Sequence, residues 1–420
     1  MSRRRPTFTR KRAVLLALAA LVVAGTGGYG CHTAAVRAAL AKTYQVTEIA
    51  PLPGLSISQG HAINASGQVT GRMLGFTPAH STPIAHGFLW EAGQASDLGA
   101  APGFVGSSGS GLNNSGQIVG ELEALTPEPK QPMPGSILSS GPTRYGGSKT
   151  DNGKMTPLPL LPGFTESTAT AINNQGQIAG TAFTNDSIYG RGFLYSKERL
   201  TSLGTLGVLG RYRPVGGRRR LGSSASGINR SGQIVGTAMA SGDFDINFRA
   251  FLYDKGTMHD LGSLPRYADS AGAAINDRGQ VTGAAEEDGP SFFGLRRAFL
   301  WQGGAMKNLG TLPGFRNSFG TALNLRGEVV GYAESLAPLQ YFFQSYLPFS
   351  SPPPTEPPRH AFLYKSGRMA DLNDLIDSRS GWVLEIASGI NDKGQIVGTG
   401  THNGQVRAFV LTPLHPERLP

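Results

Sequence analysis

Cysteine occurs once in 420 residues, at Cys31, so no intramolecular disulfide can staple the fold. The linear signatures of common enzymes are missing too. The chain has no G-x-S-x-G elbow for a nucleophilic serine, no H-E-x-x-H pair for zinc and no cysteine pair for a metal or redox centre. One G-x-G-x-x-G match runs from Gly25 to Gly30, but no strand precedes it and no helix follows it. Without that context its glycines cannot bring a dinucleotide onto a helix N-terminus. The eight histidines are scattered, and His61, His86, His259 and His360 fall in strands or at their ends, where a structural role is expected. No catalytic residue, metal ligand or cofactor is assigned.

Long apolar runs are confined to the amino terminus. Arg3, Arg4, Arg5, Arg10, Lys11 and Arg12 precede the apolar stretch Ala13–Ala24, which is short for a transmembrane helix and reads as an export signal or anchor over residues 1–30. Cys31 sits directly after this segment, where a lipoprotein would carry its lipid. However, Gly28 and Tyr29 match the usual lipoprotein cleavage sequence poorly, so ordinary cleavage and an uncleaved anchor stay open. Without the leader, 32 basic residues face 28 acidic ones, a surplus too small for a general nucleic-acid binder. Membrane contact is expected only through this segment.

What the chain has in abundance is one repeated phrase, Ile/Leu-Asn-x-x-Gly-Gln/Glu. Its asparagines are Asn64, Asn113, Asn173, Asn229, Asn276, Asn324 and Asn391, spaced 49, 60, 56, 47, 48 and 67 apart. Asn and Gly recur three apart while the two residues between them vary, which is the grammar of a turn. Asn favours position i because its side chain can bond nearby backbone, and Gly closes the turn in the left-handed region. A calcium loop would need six to eight converging oxygens, and only Asp277 and Asp392 add a carboxylate beside the turn Asn. A local turn role predicts that Asn391→Ala costs on the order of 1 kcal/mol.

Each turn is followed by Ile-Val-Gly or a relative, and later by a second block such as Ala250-Phe251-Leu252-Tyr253 with its own glycine turn. One repeat therefore holds four strands, A to D, in two hairpins. Four short strands at a period near 50 predict an all-β, seven-bladed β-propeller over residues 44–414. The ends support a closed ring. The last repeat stops after strand C at Ala408-Phe409-Val410-Leu411, and the chain past its leader opens with an orphan D strand, Tyr44–Ile49.

The paired motifs, with His360-Ala361-Phe362, resemble the bacterial probable extracellular repeat family called HAF. The resemblance covers nearly all of Tyr44 to Leu414 and implies an exported location, without an established reaction. Blade two departs from it, with Gly147-Ser148-Lys149-Thr150 where Ala-Phe-Leu-Tyr is expected.

Function is expected in what varies. The A–B and C–D turns should share one rim, and the B–C inserts and D–A connections the other. The inserts of interest are Glu121–Gly147, Tyr332–Arg359 and the D–A stretch Gly210–Gly222. Tyr341, Phe342, Phe343, Tyr346 and Phe349 are candidate stacking residues or a lid folded back over the ring, and Arg211, Arg213, Arg218, Arg219 and Arg220 candidate anion contacts or a solvated loop. The sequence thus points to an exported, non-catalytic, monomeric propeller that binds a polysaccharide or another envelope protein through the insert rim. The alternative is an exported hydrolase or lyase at the central channel mouth. Three or more ionisable side chains clustered there would favour the enzyme, and a small, apolar lining the binder.

Overall fold

The computed structural model describes residues 42–77, 80–125, 143–151, 153–184, 187–207, 222–241, 246–287, 294–335 and 358–414. These form seven four-stranded antiparallel sheets arranged as the blades of a propeller. Blade one shows the pattern: strand A is Ile57–Ile63, B is Val69–Thr77, C is His80–Glu91 and D is Gln94–Asp97. Strands A of successive blades touch one another around the ring, so A is innermost and D outermost. In blade seven, strands A to C are Trp382–Ile390, Ile396–His402 and Gln405–Pro413. Its D strand is Tyr44–Ile49, paired from Tyr44↔Pro413 to Ile49↔Ala408. The ring is closed by the first strand, as the two incomplete ends require.

The turn grammar holds in all seven copies. At the last one, Gly394 N–H donates to Asn391 O and Asn391 N–H to Gln395 O, both at 3.0 Å, with Gly394 at φ 78°. Every A strand also slips by one residue three positions before the Asn, at His61, Ser110, Thr170, Ser226, Ala273, Thr321 and Ser388. Such a bulge re-aims the extra side chain. Thr170 and Thr321 use it to donate to Ala225 O and Ala387 O of the following blade.

Blades pack through the phenylalanine of strand C. Phe88, Phe193, Phe251, Phe299, Phe362 and Phe409 are fully buried, each removal of such a ring from water being worth about 2 kcal/mol. The glycine of Ile-Val-Gly lies opposite and makes room for it: a Cβ on Gly398 would stand 2.6 Å from Phe409 Cζ. In blade two, Ser148 occupies the phenylalanine position opposite Gly120, fully buried and with its hydroxyl unpartnered.

A second clamp is a serine six residues before the turn Asn. The hydroxyls of Ser58, Ser107, Ser167, Ser223, Ser270 and Ser318 accept the N–H of the residue before the strand C phenylalanine position of the preceding blade, at 2.9–3.1 Å. Ser270 and Ser318 donate onward to Gly262 O and Gly310 O. The basic residue that opens the His-Ala-Phe phrase has a counterpart as well. His86 pairs with Asp97, Arg249 with Asp260, His360 with Asp371 and Arg407 with Glu48, all strand D carboxylates. The motif is therefore a packing and pairing unit, and His86 and His360 are structural.

Two boundaries are corrected. The stretch Glu121–Gly147 is not all insert, because strands B and C of blade two stay paired from Glu121↔Gly147 to Leu125↔Thr143. Tyr332–Arg359 is not all insert either, because Tyr332, Ala333 and Glu334 of strand B pair with Ala361, His360 and Arg359 of strand C. Backbone pairing continues past the apolar block because the ladder needs no apolar side chains.

Candidate functional site

Two surfaces close the ring, and they differ in kind. On the turn rim the channel opens into a depression of about 220 Å³ lined by the seven asparagine turns. Each turn Asn is buried and saturated. Oδ1 of Asn391 accepts from Lys393 and Gln395 N–H, and Nδ2 donates to Gln395 Oε1 and to Asn64 O of blade one. The same bond runs from Asn64 to Asn113 O, and on through Asn173, Asn229, Asn276, Asn324 and Asn391. Seven side chains thus form a closed circle of inter-blade bonds. Sequence reasoning found the local half of this role and missed the circumferential half.

Arg230, Asp277 and Asp392 also line this mouth, together with an apolar collar that includes Ile63, Leu112 and Ile172. The lining is therefore mixed, with three ionisable groups, which favour an enzyme if clustered, beside apolar side chains, which favour a binder. The carboxylates have structural work: Asp277 accepts from Arg230 N–H at 2.7 Å and Asp392 from Leu325 N–H at 2.8 Å. Asn114 and Asn174 cap the preceding turns in the same way. No group of three metal-ligating side chains occurs among the described residues.

Along strand B, away from the turns, the blades stop being alike. Eight residues after the turn Asn stand Arg72, Glu121, Thr181, Thr237, Ala284, Tyr332 and Thr399, each opposite a residue of strand A. In blade one, Arg72 Nε donates to Gln59 Oε1 at 2.7 Å. In blade two, burial pushes the carboxyls of Glu121 and Glu123 up, while Arg72 pulls them down. His61 of blade one is held below its ordinary value chiefly by burial, with Arg72 adding to the effect, and Nδ1 lies 2.8 Å from Gly109 O.

Blade six carries an aromatic pair at this level. Phe319 and Tyr332 stack at 4.7 Å and 15°. Arg296 of blade five covers Phe319 at 5.7 Å and Arg359 covers Tyr332 at 5.8 Å. The guanidiniums are held by Glu286 at 3.1 Å and Glu334 at 3.4 Å. Beside this stack, Ala271 and Ala284 leave a groove of about 310 Å³, walled by Phe248, Glu286, Arg296 and Phe319. Phe248 is exposed at its edge. Of these residues only Tyr332 and Arg359 are marked by the sequence, and only as the bounds of an insert. The available signal was a position that varies inside an otherwise uniform repeat.

The candidate residues Tyr341, Phe342, Phe343, Tyr346, Phe349, Arg211, Arg213, Arg218, Arg219, Arg220 and Cys31 lie outside the described residues. The strands that lead into and out of those connections, ending at Glu334 and resuming at Arg359, meet at the rim opposite the asparagine turns.

No protein-family model matches the chain, and no curated protein matches it. Solved structures are similar in fold. The β-propeller domain of the trilobed protease from Pyrococcus furiosus aligns with TM-score 0.49 and 8% identity, over 87% of this chain and 100% of that one. An acylaminoacyl peptidase from Pyrococcus horikoshii aligns with TM-score 0.45 and 12% identity, over 78% of this chain and 47% of the other. A Trypanosoma rangeli sialidase in complex with the inhibitor DANA gives TM-score 0.41 and 9% identity, over 86% and 56%. At such identities the likeness concerns the fold alone.

Proposed function

We propose that this chain is an exported, non-catalytic propeller of the HAF repeat type that binds a surface polymer or another envelope protein through its insert-bearing rim. One observation carries the reading. The turn asparagines of one rim are consumed by bonds that hold the ring, whereas the opposite half of each blade presents side chains that differ from blade to blade. A rigid scaffold with variable positions at one end is how recognition surfaces are built. The Arg296–Phe319–Tyr332–Arg359 stack and the groove beside it supply apolar area with fixed charge, the composition that recognition hot spots favour.

The test is a glycan screen and an envelope pull-down with protein lacking Met1–Gly30, repeated with Phe248→Ala and Arg296→Ala. Retention of a ligand that both variants weaken is the expected result. Capture that ignores both variants counts against this rim. Conversion of the captured polymer would favour the rival hydrolase or lyase, for which Arg230, Asp277 and Asp392 at the channel mouth are the residues to change.

A further inference from the structure

On the turn rim, the seam between blades six and seven opens into a groove of about 510 Å³ lined by Arg326, Glu328, Lys365, Asp392, Lys393, Gln395, Thr412 and Pro413. Blade six is the one repeat with Glu in place of Gln after the turn glycine, at Glu328. In the other repeats that glutamine accepts from the turn Asn, and in blades one, four and five it also donates to the last residue of strand C: Gln68 to Glu91 at 2.8 Å, Gln233 to Asp254 at 3.4 Å and Gln280 to Gln302 at 3.0 Å. Glu328 cannot donate, and the strand C residue opposite is accordingly a cation, Lys365, whose Nζ lies 3.1 Å from Glu328 Oε1. Arg326 adds a second cation at 2.6 Å and Asn324 a further donor. The carboxylate of Glu328 is thus saturated by three donors.

Across the seam the opposite substitution occurs. In blade seven the position of Glu91 is held by Thr412, and among the described residues Gln395 Nε2 has no acceptor. Lys393 is exposed, and its ammonium has no ionic partner among the described residues. The groove therefore gathers the donors Lys365, Arg326, Lys393, Gln395 Nε2 and Thr412 Oγ1 around one saturated carboxylate. Asp392 is the other anion, and the lining carries a net charge of +1. What the seam lacks, relative to blades one, four and five, is a strand C acceptor for the glutamine that follows the turn.

We infer that this groove is an oxyanion site, filled by the carboxylate of an acidic sugar chain or by a phosphate group seated among Lys393, Lys365 and Gln395. Ammonium and amide donors surrounding one oxyanion make short, charge-assisted bonds of this type. The site lies on the rim opposite the stack proposed above, so either can fail alone.

The full chain should be titrated by calorimetry with a galacturonate oligomer, with inorganic phosphate and with a neutral galactose oligomer. Binding of the first, the second or both, with none of the third, supports the site and tells the two sources apart. Two variants test its location. Lys393→Glu reverses the free cation, and Thr412→Asp gives Gln395 the internal acceptor that Glu91 gives Gln68. Both should weaken anion binding at least about tenfold with an unlowered Tm. Unchanged affinity in both variants, equal binding of the neutral oligomer, or no binding of either anion would overturn the assignment.

Discussion

The side-chain amide of Asn391 donates to the main-chain carbonyl of Asn64 at 3.0 Å, joining residues 327 positions apart. It completes the circle that six other asparagines build between neighbouring blades, so a residue chosen for its turn also fastens the ring. Replacing Asn391 with Ala removes two accepted and two donated bonds at a buried position. The expected loss is about 2–4 kcal/mol, more than the single local bond anticipated from sequence. Asn114→Ala removes only the cap on Ala65 N–H and should cost about 0.5–1 kcal/mol. Urea unfolding of the two variants measures the difference, and equal costs would deny the inter-blade bond any share.

Strand Tyr44–Ile49 covers the edge of Gln405–Pro413, and Glu48 reaches back to His402 at 2.5 Å and Arg407 at 3.1 Å. Deleting residues 41–50 should uncover that apolar edge and give insoluble or protease-sensitive protein, whereas removal of Met1–Gly30 should leave the fold intact. Thermal unfolding and limited proteolysis of the two proteins compare them directly. Equal stability is the outcome that contradicts closure.

Two buried serines should respond in opposite directions. Ser318→Ala breaks bonds to Ala298 N–H and Gly310 O and leaves the first buried and the second half-buried without a partner, a loss of about 2 kcal/mol. Ser148 has no partner for its hydroxyl, so Ser148→Ala should be neutral or stabilising by up to about 1 kcal/mol. Melting curves of both variants decide, and a large loss for Ser148→Ala would mean that its hydroxyl is bonded.

The His360–Asp371 pair, 2.6 Å apart, makes stability depend on pH. The hydrogen bond to Asp371 holds His360 above its ordinary 6.5, so its contribution is complete below 6.5 and fades as pH rises through the raised value. Burial pushes Asp371 up, but bonds from His360 and Asn373 bring it below its ordinary 3.8, so its contribution is complete above 3.8 and fades as pH falls through the lowered value. The Tm gap between the wild type and His360→Gln should therefore be widest near about pH 5 and shrink in alkaline buffer. A gap that grows above neutrality would reverse the assignment.

The repeat was legible because turn chemistry is local. Asn and Gly three apart dictate one backbone path wherever they occur, and Phe followed by Leu and an aromatic marks a strand buried on both faces. Blade number and closure followed from counting strands, since a ring with an uncovered apolar edge is unstable. Tertiary structure alone decided what those residues meet. Asn391 and Asn64 are brought within hydrogen-bond distance by closure of the ring, and no local rule could place Ser318 against Ala298 of the preceding blade. Likewise, Glu328 reads in sequence as a conservative exchange for glutamine, and only its position against Lys365 and Arg326 shows that the polarity of the seam has been inverted. Local propensity acts within a few residues, whereas inter-blade chemistry depends on which strands lie side by side, and that is settled only when all seven blades have packed.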